Sequence, residues 1–262
     1  MIKSPVVTVI ITNYNKKKYL FKTIKSVKGQ TYKKVQIIVV DNLSNDGSEK
    51  ISKKFNKVLQ LQNKIRKSPA LNQIHSIEIG LKKSLGEIIF LLDGDDFYKK
   101  DKLNSIIKLF LNEPNLQAVC DTPIIFPKNK RKIFSYDINR LSNSFIWPNT
   151  FPTSAITLKK KYLKDCFKLL KKNSFKSLEV DFRLCCLFPL FKNQFKIIDH
   201  NYTFYRQVDD GIMSKYQKFG VNWWIKRHQA FKFFEAINNK FNKKINYGID
   251  YFITKILYLI FK

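Results

Sequence analysis

The chain has little glycine, proline, cysteine or histidine, and each shortage excludes a class of protein. Eight glycines and eight prolines beside 44% hydrophobic residues argue against a disordered chain, so we expect a globular fold. The four cysteines lack C-x-x-C spacing, and there are only three histidines. We therefore expect reduced thiols in a cytoplasmic protein, with neither a zinc site nor a disulfide framework.

Long apolar runs are missing as well. No run approaches the roughly 18 residues that a membrane-spanning helix needs. The first residues lead directly into a β-branched segment, so no signal peptide is expected. These features predict a cytoplasmic protein that is soluble or lies on the inner face of the cell membrane.

Acidic residues are scarce: 20 Asp and Glu stand against 49 Lys and Arg, which gives a formal net charge of +29. Such an excess attracts nucleotide phosphates, anionic lipids or nucleic acid. The lysines are spread along the chain, however, and an AT-rich genome would also produce them. Because the sequence contains no recognised nucleic-acid-binding motif, we expect no nucleic acid partner.

The first 120 residues carry an alternating pattern of strands and helices, which predicts an α/β domain with a mostly parallel sheet. Neither G-x-G-x-x-G nor a P-loop is present, so neither of those nucleotide-binding motifs is indicated. The predicted strands are 6–12, 35–40, 58–61, 88–92 and 118–121, and the predicted helices are 17–28, 49–56, 74–85 and 101–112.

Three of these strands end in polar or acidic turns, at Thr12, at Asp41 and at the D-G-D-D turn. In a parallel sheet such ends share one edge, where ligands bind. Asp41 there accepts from a nucleotide base or, alternatively, bonds its own turn. A divalent cation on Asp93, Asp95 and Asp96 would bridge a diphosphate, whereas the alternative is a helix-capping turn.

Four motifs occur in order: V-T-V-I-I-T-N-Y-N, S-V-x-x-Q-T-Y, I-I-V-V-D-N-x-S-N-D-G-S and G-L-x-x-S-x-G-E-I-I-F-L-L-D-G-D-D. Together they resemble the N-terminal half of family-two glycosyltransferases. The resemblance implies a GT-A fold, with a Rossmann-like, mostly parallel central sheet between helices and a small acceptor-side subregion. It also implies a nucleoside site at Thr12, Tyr14 and Asp41, and Mn²⁺ or Mg²⁺ held on the diphosphate by Asp93, Asp95 and Asp96.

One position departs from the family pattern. The helix before the acidic turn usually carries an Asn or an Arg-Asn pair ahead of its Gly, whereas Glu78 stands ahead of Gly80 here. Gln73 and Arg66 lie nearby in sequence and are the candidates for the missing contact to the donor.

Glu179 and Asp181 open an apolar helix predicted at 182–191. Inverting transfer needs a base within reach of the acceptor hydroxyl, and a Glu-Asp at this place supplies it in the resembling family. We favour Asp181 over Glu179, while the alternative is that both only cap the helix. In the resembling family a Ser/Thr-rich strand lines the pocket floor, which makes Thr153 and Ser154 candidates for hydroxyl contacts to the sugar or diphosphate; the alternative is that they are simply polar residues of a strand.

The segments 195–199 and 202–206 are predicted to be paired edge strands. Tyr205-Arg206 resembles the Y-R segment of the family, which implies that Arg206 reaches the diphosphate and offsets the charge of the leaving group. The alternative is a surface arginine paired with Asp209 or Asp210.

The predicted organisation is a GT-A domain at 1–220 followed by a helical tail at 221–262. The domain would comprise a nucleotide-sugar-binding half at 1–100 and an acceptor-side half at 101–220. Within the tail, 247–262 fits an amphipathic helix that binds anionic lipid, or else a helix that closes the core or forms a dimer contact.

The sequence thus predicts a metal-dependent, inverting glycosyltransferase. It would move a sugar from a nucleoside-diphosphate sugar to a glycan or lipid-linked acceptor in cell-surface glycan biosynthesis, with a peripheral membrane contact. The alternative is a catalytically degenerate relative that binds nucleotide or glycan.

Overall fold

Strands and helices alternate from the first strand to the acidic turn. The structure is a computed structural model that describes residues 4–64, 67–126, 132–133, 150–170, 173–190, 194–209, 211–245 and 247–261. The strands are β1 Val7–Asn13, β2 Val35–Asp41, β3 Val58–Gln62, β4 Ile88–Asp93, β5 Phe97–Tyr98, β6 Ala118–Asp121, β7 Ile124–Phe126, β8 Lys132–Ile133, β9 Ile156–Lys159, β10 Phe195–Ile198 and β11 Thr203–Arg206. The helices are α1 Lys17–Lys28, α2 Glu49–Ser52, α3 Pro69–Lys83, α4 Lys102–Asn112, α5 Lys160–Leu169, α6 Val180–Leu187, α7 Val221–Lys240 and α8 Ile249–Phe261.

The central sheet has seven described strands in the order β10-β6-β9-β4-β1-β2-β3. Strand β9 runs antiparallel to both of its neighbours, and the other pairs are parallel. Helices flank this sheet, which confirms the predicted mostly parallel α/β architecture of the GT-A type. A second described sheet has the order β5-β11-β7-β8.

The predicted pairing of 195–199 with 202–206 is wrong. Strand β10 extends the central sheet beside β6, whereas β11 pairs with β5 and β7 in the second sheet. Alternating apolar residues identify both segments as strands, but two such short strands do not specify their partners, because long-range packing decides the pairing.

Side chains of the β-branched strands alternate between two hydrophobic cores. Ile10 of β1 joins one core with residues of α3, α5, α6 and α7. Val9 and Ile11 join the other, which includes residues of α1 and α4. Burial on both faces explains why these strands are continuous apolar runs with no polar alternation.

Register at the sheet's carboxyl edge brings the predicted site residues side by side. Asn13 pairs with Asp41 of β2, and Thr12 pairs with Asp93 of β4. Gly94 follows at a close approach, since a Cβ there would lie 2.9 Å from Asn13 Oδ1 and 3.1 Å from the Thr12 carbonyl oxygen. A side chain at Gly94 would therefore push the acidic turn away from β1.

Several helices begin or end at residues other than those predicted. Helix α3 begins at Pro69, earlier than predicted, because the Ser68 hydroxyl accepts from the Leu71 amide and proline suits a first helical position. Helix α2 ends at Ser52, and the predicted helix at 182–191 is α6, Val180–Leu187.

The first helix of the predicted tail packs into the body of the protein. Phe233 and Ile237 of α7 are buried in the core that α3 and α6 also line. Helix α8 then packs against α7. Among the described residues, no helix combines the length and apolarity needed to cross a membrane. The boundary at 220 remains a prediction.

Candidate functional site

Asp93 ends β4 inside a set of polar contacts from three segments. One of its oxygens, Oδ1, accepts from Thr12 Oγ1 at 2.7 Å and from Gln73 Nε2 at 2.8 Å. Its amide donates to Ser154 Oγ at 3.0 Å. Burial, together with the nearby negative charge of Asp95, raises the pKa of Asp93 to about 6.

Asp96 is the last residue of the acidic turn, and its side chain has no exposed surface. Oδ2 accepts from Ser154 Oγ at 2.5 Å, and Oδ1 accepts from the Arg206 amide at 2.8 Å. Burial and then the charges of Asp95 and Asp93 hold its pKa well above the usual range. Within the described parts of the chain, no three His, Cys, Asp or Glu side chains form a metal-binding group. Asp96 is fully buried and both of its oxygens accept hydrogen bonds from the protein, whereas Asp93 accepts through Oδ1 alone among the described contacts, so Asp96 is the least available ligand of the three.

Asp95 and Asp93 are both partly exposed, unlike Asp96. The ammonium of Lys16, which follows β1, lies 3.2 Å from Asp95 Oδ2. Asp93 and Asp95 are therefore the two candidate carboxylate ligands at this edge of the sheet. Magnesium is commonly bound by one or two carboxylates together with substrate phosphates and water, so this pair fits a divalent cation that arrives with a diphosphate.

A buried ammonium supports the turn from behind. Lys102 Nζ lies 2.7 Å from Asp121 Oδ1 and donates to the Ser154 carbonyl oxygen at 2.9 Å and to Thr203 Oγ1 at 2.6 Å. Burial lowers its pKa, which the negative charge of Asp121 partly opposes. Since Ser154 Oγ in turn donates to Asp96, this lysine orients the residue that fixes the acidic turn.

Thr153 and Ser154 lie in a 3₁₀ turn, Thr153–Ala155, ahead of β9 and not in the strand that was predicted for them. Gln73 Nε2 lies 3.2 Å from Thr153 Oγ1, so this turn also contacts helix α3. Both hydroxyls are buried and face protein groups of the site.

Asp41 is engaged by its own loop. It accepts from Asn13 Nδ2 at 2.6 Å and from the hydroxyl and amide of Ser44 at 2.6 and 2.9 Å, and it is only 2% exposed. These contacts match the alternative in which Asp41 bonds its own turn. Tyr14, in contrast, is 48% exposed beside it and presents an open ring at the carboxyl edge.

The departure on helix α3 has a local explanation. Glu78 lies 3.7 Å from both His75 Nδ1 and Lys82 Nζ, which are its neighbours on the same helix. Gln73, one turn earlier, reaches Asp93 as described above. Arg66, the other predicted substitute, lies outside the described residues.

Arg206 has an aromatic setting. Its guanidinium carbon lies 5.0 Å from the ring centres of both Tyr19 and Phe97. Its Nε is buried and has no hydrogen-bond partner among the described residues. The alternative was a surface arginine paired with Asp209 or Asp210. Arg206 is instead half-buried beside two aromatic rings, and Asp210 lies outside the described residues.

The two candidate bases at the start of α6 differ in their partners. Glu179 Oε1 lies 2.5 Å from Lys226 Nζ of helix α7, and Glu179 is 8% exposed. Asp181 is partly exposed and accepts from the Phe182 amide at 2.7 Å. Burial raises the pKa of Asp181 to about 7, with further contributions from the charges of Glu179 and Asp93. Helix α3, whose Gln73 donates to Asp93, also packs against α6.

Tyr205 of β11 precedes Arg206, whose amide donates to Asp96. Burial raises the pKa of its hydroxyl, and so do the charges of Asp96, Asp181, Asp93 and Asp95, in that order. Its neighbour Arg206 was a candidate from the sequence, whereas this tyrosine was not. The adjacent Y-R pair was the signal that could have found it.

Sequence reasoning also missed three lysines. Lys16 and Lys102 stand in lysine-rich surroundings that give no signal, and Lys226 lies in a helix far from α6 in sequence. Only the fold shows that each lysine meets a carboxylate.

Several known proteins are similar to this chain. An uncharacterized glycosyltransferase of Nostoc is 34% identical over 106 residues, which cover 40% of this chain and 32% of that protein. The glycosyltransferase GlyG of Streptococcus pneumoniae is 23% identical over 98% of this chain and 86% of its own length. TuaG of Bacillus subtilis, named for teichuronic acid biosynthesis, is 30% identical over 41% of this chain and 42% of its own. The matches thus span less than half of the Nostoc and Bacillus proteins.

Two solved structures share the fold. S. aureus TarS, residues 1–349 in complex with UDP-GlcNAc, aligns with a TM-score of 0.64 at 17% identity over 97% of this chain and 71% of that one. The mannosyltransferase PcManGT of Pyrobaculum calidifontis, in complex with GDP-Man and Mn²⁺, aligns with a TM-score of 0.57 at 19% identity over 98% and 69%.

The family model described as glycosyl transferase family 2 matches residues 8–179, from β1 to the first of the two candidate bases. This match contains the acidic turn, its support from Ser154 and the neighbouring strand ends. With about two thirds of its length inside the family pattern, the chain belongs to glycosyl transferase family 2.

Proposed function

We propose that this glycosyltransferase is metal-dependent and inverting, and that it moves a sugar from a nucleoside-diphosphate sugar to an acceptor hydroxyl. One observation carries the proposal: Asp93 lies at the carboxyl edge of the sheet beside Thr12, next to the pair of Asn13 and Asp41, within the part of the chain that matches glycosyl transferase family 2. The carboxyl edge of the sheet is where an α/β protein binds its ligand.

The nucleoside would lie at Thr12, Tyr14 and Asp41. The exposed ring of Tyr14 offers a surface on which a base stacks. Asp41 would accept from the base only after giving up a bond from Ser44 or Asn13. Similar folds in complexes with UDP-GlcNAc and GDP-Man support a nucleotide-sugar donor without selecting the base.

Asp93 and Asp95 would hold Mn²⁺ or Mg²⁺, with Asp96 retained as the group that fixes the turn. The cation would supply positive charge to the diphosphate as it becomes the leaving group. Lys16, now beside Asp95, would be released toward the phosphates. Gln73 keeps Asp93 oriented, because it donates to the carboxylate from α3.

Arg206 would contribute positive charge on the leaving-group side. Tyr19 and Phe97 hold the guanidinium in place, and its buried Nε has a donor to offer. A pre-oriented guanidinium loses little side-chain freedom on binding a diphosphate, and it stabilises charge as that charge develops.

Asp181 would act as the base that deprotonates the acceptor. A general base works best with a pKa near the working pH, and that of Asp181 is raised to about 7. Glu179 is paired with Lys226, which occupies one of its oxygens. This pairing favours Asp181 over Glu179 as the base.

One comparison supports a setting for the acceptor. The name of TuaG refers to teichuronic acid biosynthesis, which supports a cell-surface glycan or lipid-linked acceptor. We place the reaction on the cytoplasmic side, with a peripheral contact to the cell membrane.

A panel of UDP and GDP sugars, assayed with Mn²⁺ for release of nucleoside diphosphate in the presence of candidate acceptors, tests this function. We expect turnover with at least one sugar and a loss of about 10²–10⁴-fold in Asp181→Asn, the usual contribution of a general base. Inversion would appear as a product anomer opposite to that of the donor.

The alternative function is that of a catalytically degenerate relative that binds nucleotide or glycan. It is favoured by the hydrogen bonds that Asp41 already accepts from Asn13 and Ser44. Thermal-shift titration separates the two functions. Stabilisation by a nucleotide sugar that is never turned over with any acceptor would favour the binding protein.

A further inference from the structure

Helix α8 carries its aliphatic residues on the outside. Ile249 is 79% exposed, Ile256 59%, Leu259 66% and Ile260 67%. With Phe252 and Ile253, which are also exposed, they recur at helical spacing and form one stripe. We call these six residues the α8 stripe. Ten of the sixteen large hydrophobic side chains that are exposed in the described chain lie between Phe219 and Phe261.

The opposite side of α8 is polar and aromatic, and it contacts α7. Asp250 bonds to Arg227, whose Nε also donates to Thr254 Oγ1 at 3.0 Å. The Tyr258 ring stacks on His228 with ring centres 3.8 Å apart. A helix that covers a protein core has the reverse arrangement, with its apolar side inward. The expectation that this helix closes the core is therefore wrong.

The charge around the stripe is positive. From residue 236 to residue 262 the chain has five lysines and one acidic residue, Asp250. Arg227 neutralises that aspartate. The described lysines of this segment, Lys240, Lys243, Lys244 and Lys255, are all exposed. One of these lysines, Lys255, lies on α8, and the other three precede the helix in the chain. An apolar stripe accompanied by exposed lysines is complementary to a bilayer with anionic headgroups, where chains are apolar and the surface is negative.

We propose that the α8 stripe docks the protein on an anionic lipid bilayer. The helix has 13 residues, which is too short to span a bilayer and long enough to lie along its surface for about 20 Å. Its inner side stays bonded to α7, and the lysines contact the headgroups. This binding goes beyond sugar transfer and does not require it.

The test uses the full chain and sedimentation with vesicles of phosphatidylcholine containing about 30% phosphatidylglycerol, compared with phosphatidylcholine alone. We expect binding to the anionic vesicles that weakens with salt. The double variant Ile256→Ser/Ile260→Ser should lose roughly tenfold or more in partitioning, because two exposed aliphatic side chains no longer enter the interface. Both side chains are exposed, so the fold does not depend on them.

Matched control variants distinguish binding through the α8 stripe from nonspecific binding through other exposed residues. Leu85→Ser removes an equally exposed apolar side chain, at 74%, outside the stripe and should leave binding unchanged. Lys243→Gln/Lys244→Gln should weaken binding to anionic vesicles by up to roughly 30-fold, since each lysine near the surface adds about a factor of five. Lys53→Gln/Lys54→Gln, which removes the same charge from exposed positions elsewhere, should have a much smaller effect.

Two results would overturn the proposal. One is equal sedimentation of the wild type and the Ile256→Ser/Ile260→Ser variant. The other is an absence of vesicle binding together with a dimer, seen by analytical ultracentrifugation, that the same variant abolishes; the stripe would then be a contact between two copies. Neither result bears on turnover, so the proposed transferase function is tested separately.

Discussion

Substitutions at Lys226 and Glu179 should move the pH dependence of transfer in opposite directions. Asp181 must be deprotonated to act as a base. The pH profile of kcat/KM should therefore have an acidic limb, which rises about tenfold per pH unit below the pKa of Asp181 and levels off above it. The pKa of Asp181 is raised to about 7 by burial, then by the charge of Glu179 and by that of Asp93. Lys226 opposes this rise.

The magnitude follows from the ion pair between Glu179 and Lys226, which are 2.5 Å apart. In Lys226→Met, the charge of Glu179 acts on Asp181 without compensation, and the limb should move up by about one pH unit, equivalent to about 1.4 kcal/mol. In Glu179→Gln, the like charge is gone while Lys226 remains, and the limb should move down by a similar amount.

The assay is kcat/KM for the donor across pH 5 to 9, an interval of about two units on either side of the expected pKa. Lys232→Met is the matched control, because Lys232 lies on the same helix and pairs with Glu235 at 2.9 Å. It should leave the limb in place. Asp181→Asn should remove the limb together with most of the activity.

Two patterns would refute the assignment of the base. If Glu179→Gln loses as much activity as Asp181→Asn, Glu179 is the base. If Lys226→Met and Lys232→Met give the same profile as the wild type, the ion pair has no influence on the ionisation that controls the reaction.

Three further predictions concern binding and stability. Arg206→Ala should weaken nucleoside diphosphate binding by roughly 10- to 100-fold in calorimetry, with Arg206→Lys in between, because lysine lacks the planar stack on Tyr19 and Phe97. Lys102→Met should lower the free energy of unfolding by roughly 3–5 kcal/mol in urea, since Asp121 is left buried and unpaired, and Asp121→Asn in the same chain should restore part of it. In EDTA, thermal stability should fall as pH rises from about 4 to about 7. Folding raises the pKa of Asp93 to about 6 and that of Asp181 to about 7, so both groups hold their protons more tightly in the folded state than in the unfolded state. Asp93→Asn should flatten the lower part of that decline, and an unchanged slope would contradict it.

The sheet was predictable from the sequence because its strands are apolar on both faces. Val9, Ile10 and Ile11 point to two cores, and no helix or exposed strand needs such a run. The polar ends of β1, β2 and β4 then predicted the location of the site, since parallel strands share an edge. The pairing of β10 and β11 was not predictable, because it depends on contacts distant in sequence.

At the site, the sequence identified carboxylates but not their partners. The sequence grouped Asp93, Asp95 and Asp96 as metal ligands, whereas in the fold Asp96 accepts hydrogen bonds from Ser154 and Arg206. The position of Ser154 depends on how the chain returns to the sheet after residue 150, which no local pattern encodes.

The same limit applies to the candidate bases. E-x-D spacing left Glu179 and Asp181 nearly equivalent, and the lysine that distinguishes them, Lys226, comes from a helix 47 residues further along the chain. Charge partners brought together by tertiary packing are invisible to sequence spacing.

The most direct test of the proposed donor site is calorimetric titration of UDP and GDP with and without Mn²⁺, on the wild type and on Asp95→Asn. We predict that one nucleotide binds the wild type with Mn²⁺, and that EDTA or Asp95→Asn weakens this binding at least tenfold, about 1.4 kcal/mol. If the affinity for that nucleotide stays at the value of the wild type with Mn²⁺, both in EDTA and in Asp95→Asn, no cation is held by this turn.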